Sequence, residues 1–387
     1  MSDDPKRIVR LAQPTFPDLD LDAVAQLLGS GWLTNASQVR AFEQAFADYQ
    51  GVEHAVAVSS CTAALHLALL AHGVGPGDEV ITTPFTFAAT CNAIIHAGAT
   101  PVLVDVEPDT LNMDPNRIER AISARTKAVM PVHFAGHPVD LDALLALRER
   151  HGFALIHDAA HGAEARYRDR SMAQHADTAC FSFYATKNLP IGEGGMLTTH
   201  DPEIARTARL LRNHGMSTDA FDRHGDAAAH WRHWDLARPG FNYKMAELPA
   251  LLGRGQLPHL PAWRDRRAAV TERYETLLSK VAGVRVLGRR AKVTHAHHLF
   301  VILIDREGVE RDALASRLKA NGVEVSINYR PIHELEWYRR TFDWNRADFP
   351  VASHAGERCI SLPMHPELSV ADADLVVERL QALLEGW

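Results

Sequence analysis

The stretch AVAVSSCTAALHLALLAHGVGPGDEVITTP (55–84) decides the fold. It opens on an apolar run, AVAVSS (55–60), that does not alternate with polar residues, as expected of a strand covered on both faces. A helical pattern follows over 62–71, then the turn GVGPGDE (73–79), then a second strand-like run, EVITTP (79–84). Strand, helix, turn and strand in this order make a βαβ unit, which sets its two strands parallel.

The same rhythm runs outward to His200. PVLVDV (101–106), KAVMPVHF (127–134), ALIHDAA (154–160), ACFSFYA (179–185) and GGMLTTH (194–200) read as further strands. Between them, 86–96, 116–122 and 140–150 read as helices. The expectation is an α/β fold: a large domain with a mostly parallel seven-stranded sheet flanked by helices. After His214 a polar, His- and Asp-rich stretch to Gly240 predicts a loop and linker, and a long helical segment spans 245–278. The last hundred residues carry LFVILI (299–304), a helix over 311–321, the extended run VEVSIN (323–328) and a C-terminal helix over 371–384, which predict a smaller α+β domain. We divide the chain into a large domain, 1–250, and a small one, 251–387.

The whole chain has 387 residues, 46% hydrophobic and 23% charged, which suits a soluble protein with a sizeable core. A formal charge of −7 gives no basic footprint for nucleic acid or anionic lipid. The four cysteines, Cys61, Cys91, Cys180 and Cys359, show no CxxC spacing, so neither a zinc site nor a disulfide framework is expected. The N-terminus MSDDPKRIVR lacks an apolar signal core, and Ser59, Ser60 and His66 interrupt 55–70, so neither export nor membrane insertion is expected and the cytoplasm is the expected location.

Four elements carry chemistry. FSFYATKNLPIGEGGM (181–196) sets Lys187 just past a strand, where partial burial beside a cationic ring would lower its pKa and free its amine for Schiff-base formation. ALIHDAAHG (154–162) puts Asp158 at the C-terminal end of a strand, the edge where open α/β sheets bind ligands. A pyridinium nitrogen would supply the cation Asp158 needs, and His161 could reach a ring oxygen. SSCTAALHLAL (59–69) runs from strand to helix, so free N–H groups and the helix dipole could receive a phosphate. TTPFTFAAT (82–90) offers Phe85 and Phe87 as faces for a flat ring. Each has a plainer reading: a surface lysine, a helix cap, a core histidine, an ordinary helix start, aromatic packing. In this order along one α/β domain they describe a pyridoxal 5′-phosphate (PLP) site.

With SGWLTNASQVRAFEQAFADY (30–49), GATPVLVDVEPDTLNMDP (98–115), PGFNYKMAEL (239–248) and CISLPMHPEL (359–368), these motifs cover nearly the whole chain. The chain resembles the DegT/StrS family of sugar aminotransferases, fold-type I PLP enzymes. The resemblance implies that Lys187 holds PLP as a Schiff base and carries the proton, and that Asp158 pairs with the pyridine nitrogen. It further implies that Ser60, Cys61, Thr62 and Ser182 hold the phosphate, that Phe87 stacks on the ring, and that His161 stands where Gln is usual. Asn242 would reach the phosphate of a neighbouring subunit, implying a homodimer with shared active sites. Trp32, Tyr184 and His333 become substrate-side candidates. The implied reaction moves an amino group from glutamate or glutamine to a keto sugar, nucleotide-linked, by a ping-pong route. Relatives that dehydrate sugars carry His at the lysine position, so Lys187 favours amine transfer.

Three departures from the family pattern stand out: Cys61 for Gly, His161 for Gln, and ELPALLGRGQL (247–257) in place of an alanine-rich helix. His161 keeps open a ketocyclitol or aromatic-precursor substrate, handled by transamination or dehydration. A non-catalytic PLP-binding regulator is the alternative of another class. A nicotinamide dehydrogenase fits poorly, since GVGPGD (73–78) lacks the last glycine of its fingerprint and Tyr184 and Lys187 are too close for YxxxK. His295, His297 and His298, and the pair His230 and His233, lack an evident carboxylate or cysteine partner, so no metal site is expected.

Overall fold

The computed structural model describes residues 7–217 and 235–387. After α1 (Leu21–Ser30) and α2 (Ser37–Gln50), the seven apolar runs all become strands of one sheet. These are β1 (His54–Val58), β2 (Glu79–Thr82), β3 (Thr100–Leu103), β4 (Thr126–Val129), β5 (Ala154–Asp158), β8 (Thr178–Ser182) and β9 (Gly195–Thr199). The intervening β6 (Arg166–Tyr167) and β7 (Arg170–Ser171) join β11 (Val293–Thr294) in a separate ribbon. The spatial order is β1-β9-β8-β5-β4-β2-β3. Strands β3, β2, β4, β5 and β8 are parallel, and β9 runs antiparallel to both its neighbours. Thus β1, β5 and β8 point the same way and share one edge for their carboxyl ends.

Both sheet faces are buried, which explains the unbroken apolar runs. Val56, Val58, Cys180 and Leu197 pack under α3 (Cys61–Ala71), α4 (Ala88–His96) and α7 (Pro202–Arg212). Their alternates Ala55, Ala57, Phe181 and Met196 pack against Phe42 and Phe46 of α2. Phe46 meets the rings of Phe181 and Phe183 edge-on at 5.1 and 5.3 Å. Each such fully buried ring contributes about 1.5–3 kcal/mol by burial alone. The helices α5 (Pro115–Ala121) and α6 (Leu141–His151) complete the other side. The start of α2 has no cap of its own; instead the buried Glu247 carboxylate accepts N–H bonds from Ala36, Gln38 and Val39 at 2.6, 2.8 and 3.1 Å.

The segment expected as one long helix is divided. Helix α8 (Glu247–Gln256) passes into a 3₁₀ turn, Leu257–His259, and then α9 (Leu260–Leu278). Pro258 and Pro261 account for the change, because neither has an N–H to give the preceding turn and their rings exclude the carbonyl four residues back. Leu260 and Trp263 pack with α2, while Val270, Tyr274 and Leu278 pack in the core of the smaller sheet, so α9 belongs to both. That antiparallel sheet is β10 (Val284–Val286), β12 (Phe300–Ile304) and β13 (Cys359–Leu362), covered by α10 (Arg311–Ala320) and, beyond α11 (Glu336–Thr341) and α12 (Pro350–Arg358), by α13 (Val370–Glu385). VEVSIN makes only isolated bridges, Val323 to Val9 and Ser326 to Ser361. Ser326 and Asn328 of that run line a cavity, while Val325 and Ile327 pack against the core of the small sheet. Most of the expected 215–240 loop, with His230 and His233, lies outside the described residues; its ends meet in a bridge between Met216 and Leu236. No helix of the described residues is long and apolar enough to cross a membrane.

The two interior glycines of α8 separate cleanly. A Cβ on Gly253 would stand 2.6 Å from the Phe42 ring, whereas one on Gly255 would meet nothing within 4 Å. Gly255→Ala should therefore stabilise the protein by about 0.5–1 kcal/mol and Gly253→Ala should destabilise it by about 1–3 kcal/mol. Urea unfolding of the two variants checks both signs.

Candidate active site

A cavity of about 650 Å³ lies at the shared carboxyl edge, between the two sheets. Asp158, the last residue of β5, is buried there; it accepts from Thr90 Oγ1 at 2.8 Å and from the Ala160 N–H at 3.1 Å. Burial raises its carboxyl pKa, with those two hydrogen bonds and Lys187 opposing. Lys187 comes from the excursion between β8 and β9, closed at its base by Phe183 N–H to Gly194 carbonyl at 3.0 Å. Burial lowers its pKa to about 8, against the pull of Cys61 and Asp158. A fraction of this amine is therefore neutral, hence nucleophilic, near neutral pH.

Two histidines flank the lysine, and their bonds fix where the protons sit. His161 Nδ1 accepts the Ala135 N–H at 3.2 Å, so its proton is on Nε2, aimed at Tyr329 Oη 3.0 Å away. His298 Nε2 lies 3.4 Å from Lys187 Nζ, and its ring centre is 4.4 Å from that of His161. Burial, with Lys187 beside them, holds both imidazoles well below the usual histidine range.

The cavity wall also suits an anion and a flat ring. Ser60 caps α3 by accepting the Ala63 N–H at 3.2 Å, and the N–H groups of Cys61 and Thr62 in that first turn have no intrahelical acceptor. A Cβ on Gly195 would stand 2.4 Å from the Ser60 carbonyl carbon, so only glycine lets β9 press on this turn. Ser182 lines the same end. Phe87 is 63% exposed although Phe85, Thr86 and Thr90 are buried; its ring faces the cavity, 6.1 Å from that of Tyr329. A buried carboxylate wanting a cation, an open aromatic face, an anion cradle and an amine of lowered pKa together fit PLP.

Ser60, Cys61, Thr62, Phe87, Asp158, His161, Ser182, Tyr184 and Lys187 thus converge on one cavity. Three other candidates lie outside its lining. Asn242 is at the surface and accepts from Lys244 Nζ at 2.7 Å; Trp32 is 38% exposed. His333 is buried beside Phe349, with Nε2 2.9 Å from Ser353 Oγ. The sequence alone does not single out Thr90, three residues past Phe87 on the incoming helix, or Tyr329, four residues before His333. His298 was weighed only as a metal ligand. Among the described residues no three His, Cys, Asp or Glu side chains are grouped to hold a metal.

Residues 16–381 match the DegT/DnrJ/EryC1/StrS aminotransferase family. The spore coat polysaccharide biosynthesis protein SpsC of Bacillus subtilis is 43% identical over 376 residues, 96% of each chain. Among solved structures, the putative sugar aminotransferase Spr1654 of Streptococcus pneumoniae in its PLP form superposes with a TM-score of 0.89 at 28% identity, covering 98% of this chain and 99% of that one. DesI, determined in the presence of its TDP-sugar product, gives 0.84 at 33% identity, covering 97% and 93%. The fold and the site define a PLP-dependent aminotransferase. The chain belongs to the DegT/DnrJ/EryC1/StrS aminotransferase family.

The buried imidazoles set a pH dependence. His157 is pushed down to about 3 by burial, and His161 and His298 are also depressed, so between pH 6.5 and about 3 the unfolded chain binds protons that the folded one does not. Stability of the cofactor-free protein should therefore fall as pH drops below 6.5, by up to about 1.4 kcal/mol per pH unit for each such histidine. Asp158, raised by burial, acts the other way but is outnumbered. Urea unfolding at pH 7.5, 6.5 and 5.5 checks this; equal free energies at the three values would contradict it.

Proposed function

We propose that this enzyme takes an amino group from glutamate or glutamine and delivers it to the carbonyl of a keto sugar carried on a nucleotide, in two half-reactions at the one cavity. The meeting of Asp158, Lys187, His161 and the start of α3 in one cavity is the observation that carries this reading. Bound PLP supplies an electron-withdrawing ring that stabilises negative charge at the amino-bearing carbon. Asp158 would hold the pyridine nitrogen protonated, His161 Nε2–H would donate to the ring oxygen, and Phe87 would cover one ring face. Cys61 and Thr62 N–H, with the Ser60 and Ser182 hydroxyls, would hold the phosphate. Lys187 would anchor the cofactor at rest and, once displaced by the donor, take the proton from the donor carbon on Nζ and give it back on the cofactor side. The sugar reading is supported by SpsC, named for polysaccharide biosynthesis, and the nucleotide by the TDP-sugar product of DesI.

The assembly in this proposal is a homodimer with shared sites. The backbone joins Thr34 to Ala246 and Leu33 to Glu247, so Trp32, Leu33 and Leu248, all exposed, form one surface with Asn242 nearby. In this reading Asn242 reaches the partner's phosphate, and Trp32 and Tyr184 lie on the substrate side. His333 would act there only indirectly, through the loop that carries Tyr329.

The purified protein given PLP should show the visible band of a lysine-bound cofactor, and glutamate or glutamine should shift it to that of the amine form. Lys187→Ala should lack the starting band; a wild type without it would sink the assignment. Asp158→Asn should keep the band but lose at least about 100-fold in kcat/KM, because the ring cation loses its buried partner. Mixing Lys187→Ala with Asn242→Ala subunits should restore partial activity in hybrid dimers, measured on a nucleotide-linked keto sugar. Mixtures as inactive as either parent would contradict shared sites.

A further inference from the structure

The surroundings of Lys187 contain a buried polar chain that the reaction as described does not use. Arg267 of α9 and Glu164 are each 1% exposed at the side chain and form an ion pair. Glu164 Oε2 also accepts from Asn188 Nδ2 at 2.6 Å, and the Ala296 carbonyl accepts from the same nitrogen at 2.9 Å and from Arg267 Nε at 3.3 Å. Carboxylate and carbonyl oxygens can only accept, so the Asn188 NH₂ must point at them and its Oδ1 must point the other way. Oδ1 lies 3.0 Å from His298 Nδ1, which must therefore carry the ring proton. That leaves the Nε2 lone pair of His298 facing Lys187 Nζ at 3.4 Å.

Burying an ion pair costs more than burying a hydrophobic pair of the same volume. Here Glu164 Oε1 and Arg267 Nη1 are left without partners as well. Fixing the Asn188 amide gives this arrangement a purpose. The neighbouring His161 is held in the opposite tautomer by the Ala135 N–H, so the two adjacent imidazoles, tilted by 47° to each other, are set differently by separate backbone and side-chain bonds.

We propose that His298 is a positioning residue for Lys187, kept as a hydrogen-bond acceptor by the chain Asn188, Glu164 and Arg267. Its Nε2 takes one N–H of the lysine whether the amine is charged or neutral. When Lys187 is free and neutral, that bond turns the amine's one lone pair toward the cavity, where the proton is to be taken. Besides His298, the ionisable groups about Nζ are Asp158, Cys61 and His161, all lining the cavity. The inference rests on Lys187 being the cofactor lysine.

The test uses the holoenzyme and two substitutions of His298, with ¹⁵N-histidine spectra of the cofactor-free protein beside them. Borohydride reduction followed by peptide mapping first shows whether PLP sits on Lys187; if it does not, the lysine assignment fails on its own. Given that attachment, His298→Leu should slow the glutamate half-reaction at least about tenfold, with the glutamate KM and PLP affinity little changed. His298→Gln, whose amide oxygen can accept, should recover most of that rate, and Asn188→Ala should be slowed like the leucine variant. The wild-type spectrum should show His298 protonated on Nδ1, and Asn188→Ala should lose that preference. A His298→Leu half-reaction at the wild-type rate, equal slowing by Leu and Gln, or a wild-type His298 protonated on Nε2 would each overturn the proposal. The wild-type spectrum requires no variant to fold.

Discussion

Asp158 ends β5 with its carboxylate buried, and its two hydrogen bonds, from Thr90 and the Ala160 N–H, leave the charge without a counter-ion of its own. Burial alone would favour the protonated acid, and Lys187, itself depressed to about 8, opposes this only in part. A cationic ring nitrogen resolves the tension, since it would hold the carboxylate charged and be held charged in return. The other features of the cavity follow from where that ring must lie: Phe87 open on one face, the start of α3 at one end, and the His161 Nε2–H at its side. The sheet serves this arrangement by running β1, β5 and β8 in one direction. Three strand ends then deliver a phosphate cradle, a carboxylate and a hydroxyl to one edge.

The electrostatics of the lysine are set by neutral groups as much as by charges. A protonated imidazole beside Nζ would repel an ammonium and offer no acceptor. Burial prevents this by holding both His161 and His298 uncharged, and separate hydrogen bonds then decide which nitrogen of each ring is open. Cys61, in place of the small residue usual at the cradle, is compatible with the same logic. Its thiol is pushed well up by burial and stays neutral, so the N–H donors of the turn face the cavity without a competing anion.

The large sheet was legible because strands buried on both faces must be continuously apolar, and all seven runs show that pattern. The break at Pro258 was legible in principle, since prolines at 258 and 261 cannot sit inside one uninterrupted helix, yet the helical periodicity on either side concealed it. Lys187, Asp158 and Ser60 could be read because each lies at or beyond the C-terminal end of a recognisable strand. Tyr329 and His298 could not, because they come from the smaller half of the chain, where no local pattern says which side chain turns toward the other sheet. Asn242 and Trp32 mark a different limit. Their backbone segments pair at the surface of one chain, and a role in catalysis would need a second copy, which a single sequence does not display.

Helix α9 links these observations. Its first turns pack with α2 and the large sheet, and its later turns with β12 and the small one, so it fixes the relation of the two walls of the cavity. Arg267 lies between those two stretches and reaches Glu164, hence Asn188, the residue next to Lys187. The Ala296 carbonyl, which both Arg267 and Asn188 contact, is two residues from His298. The seam between the two halves is thus sealed by polar groups that also surround the lysine. Purely apolar packing there would hold the halves together equally well but would leave the Asn188 amide free to turn, and with it the choice of which His298 nitrogen faces the amine.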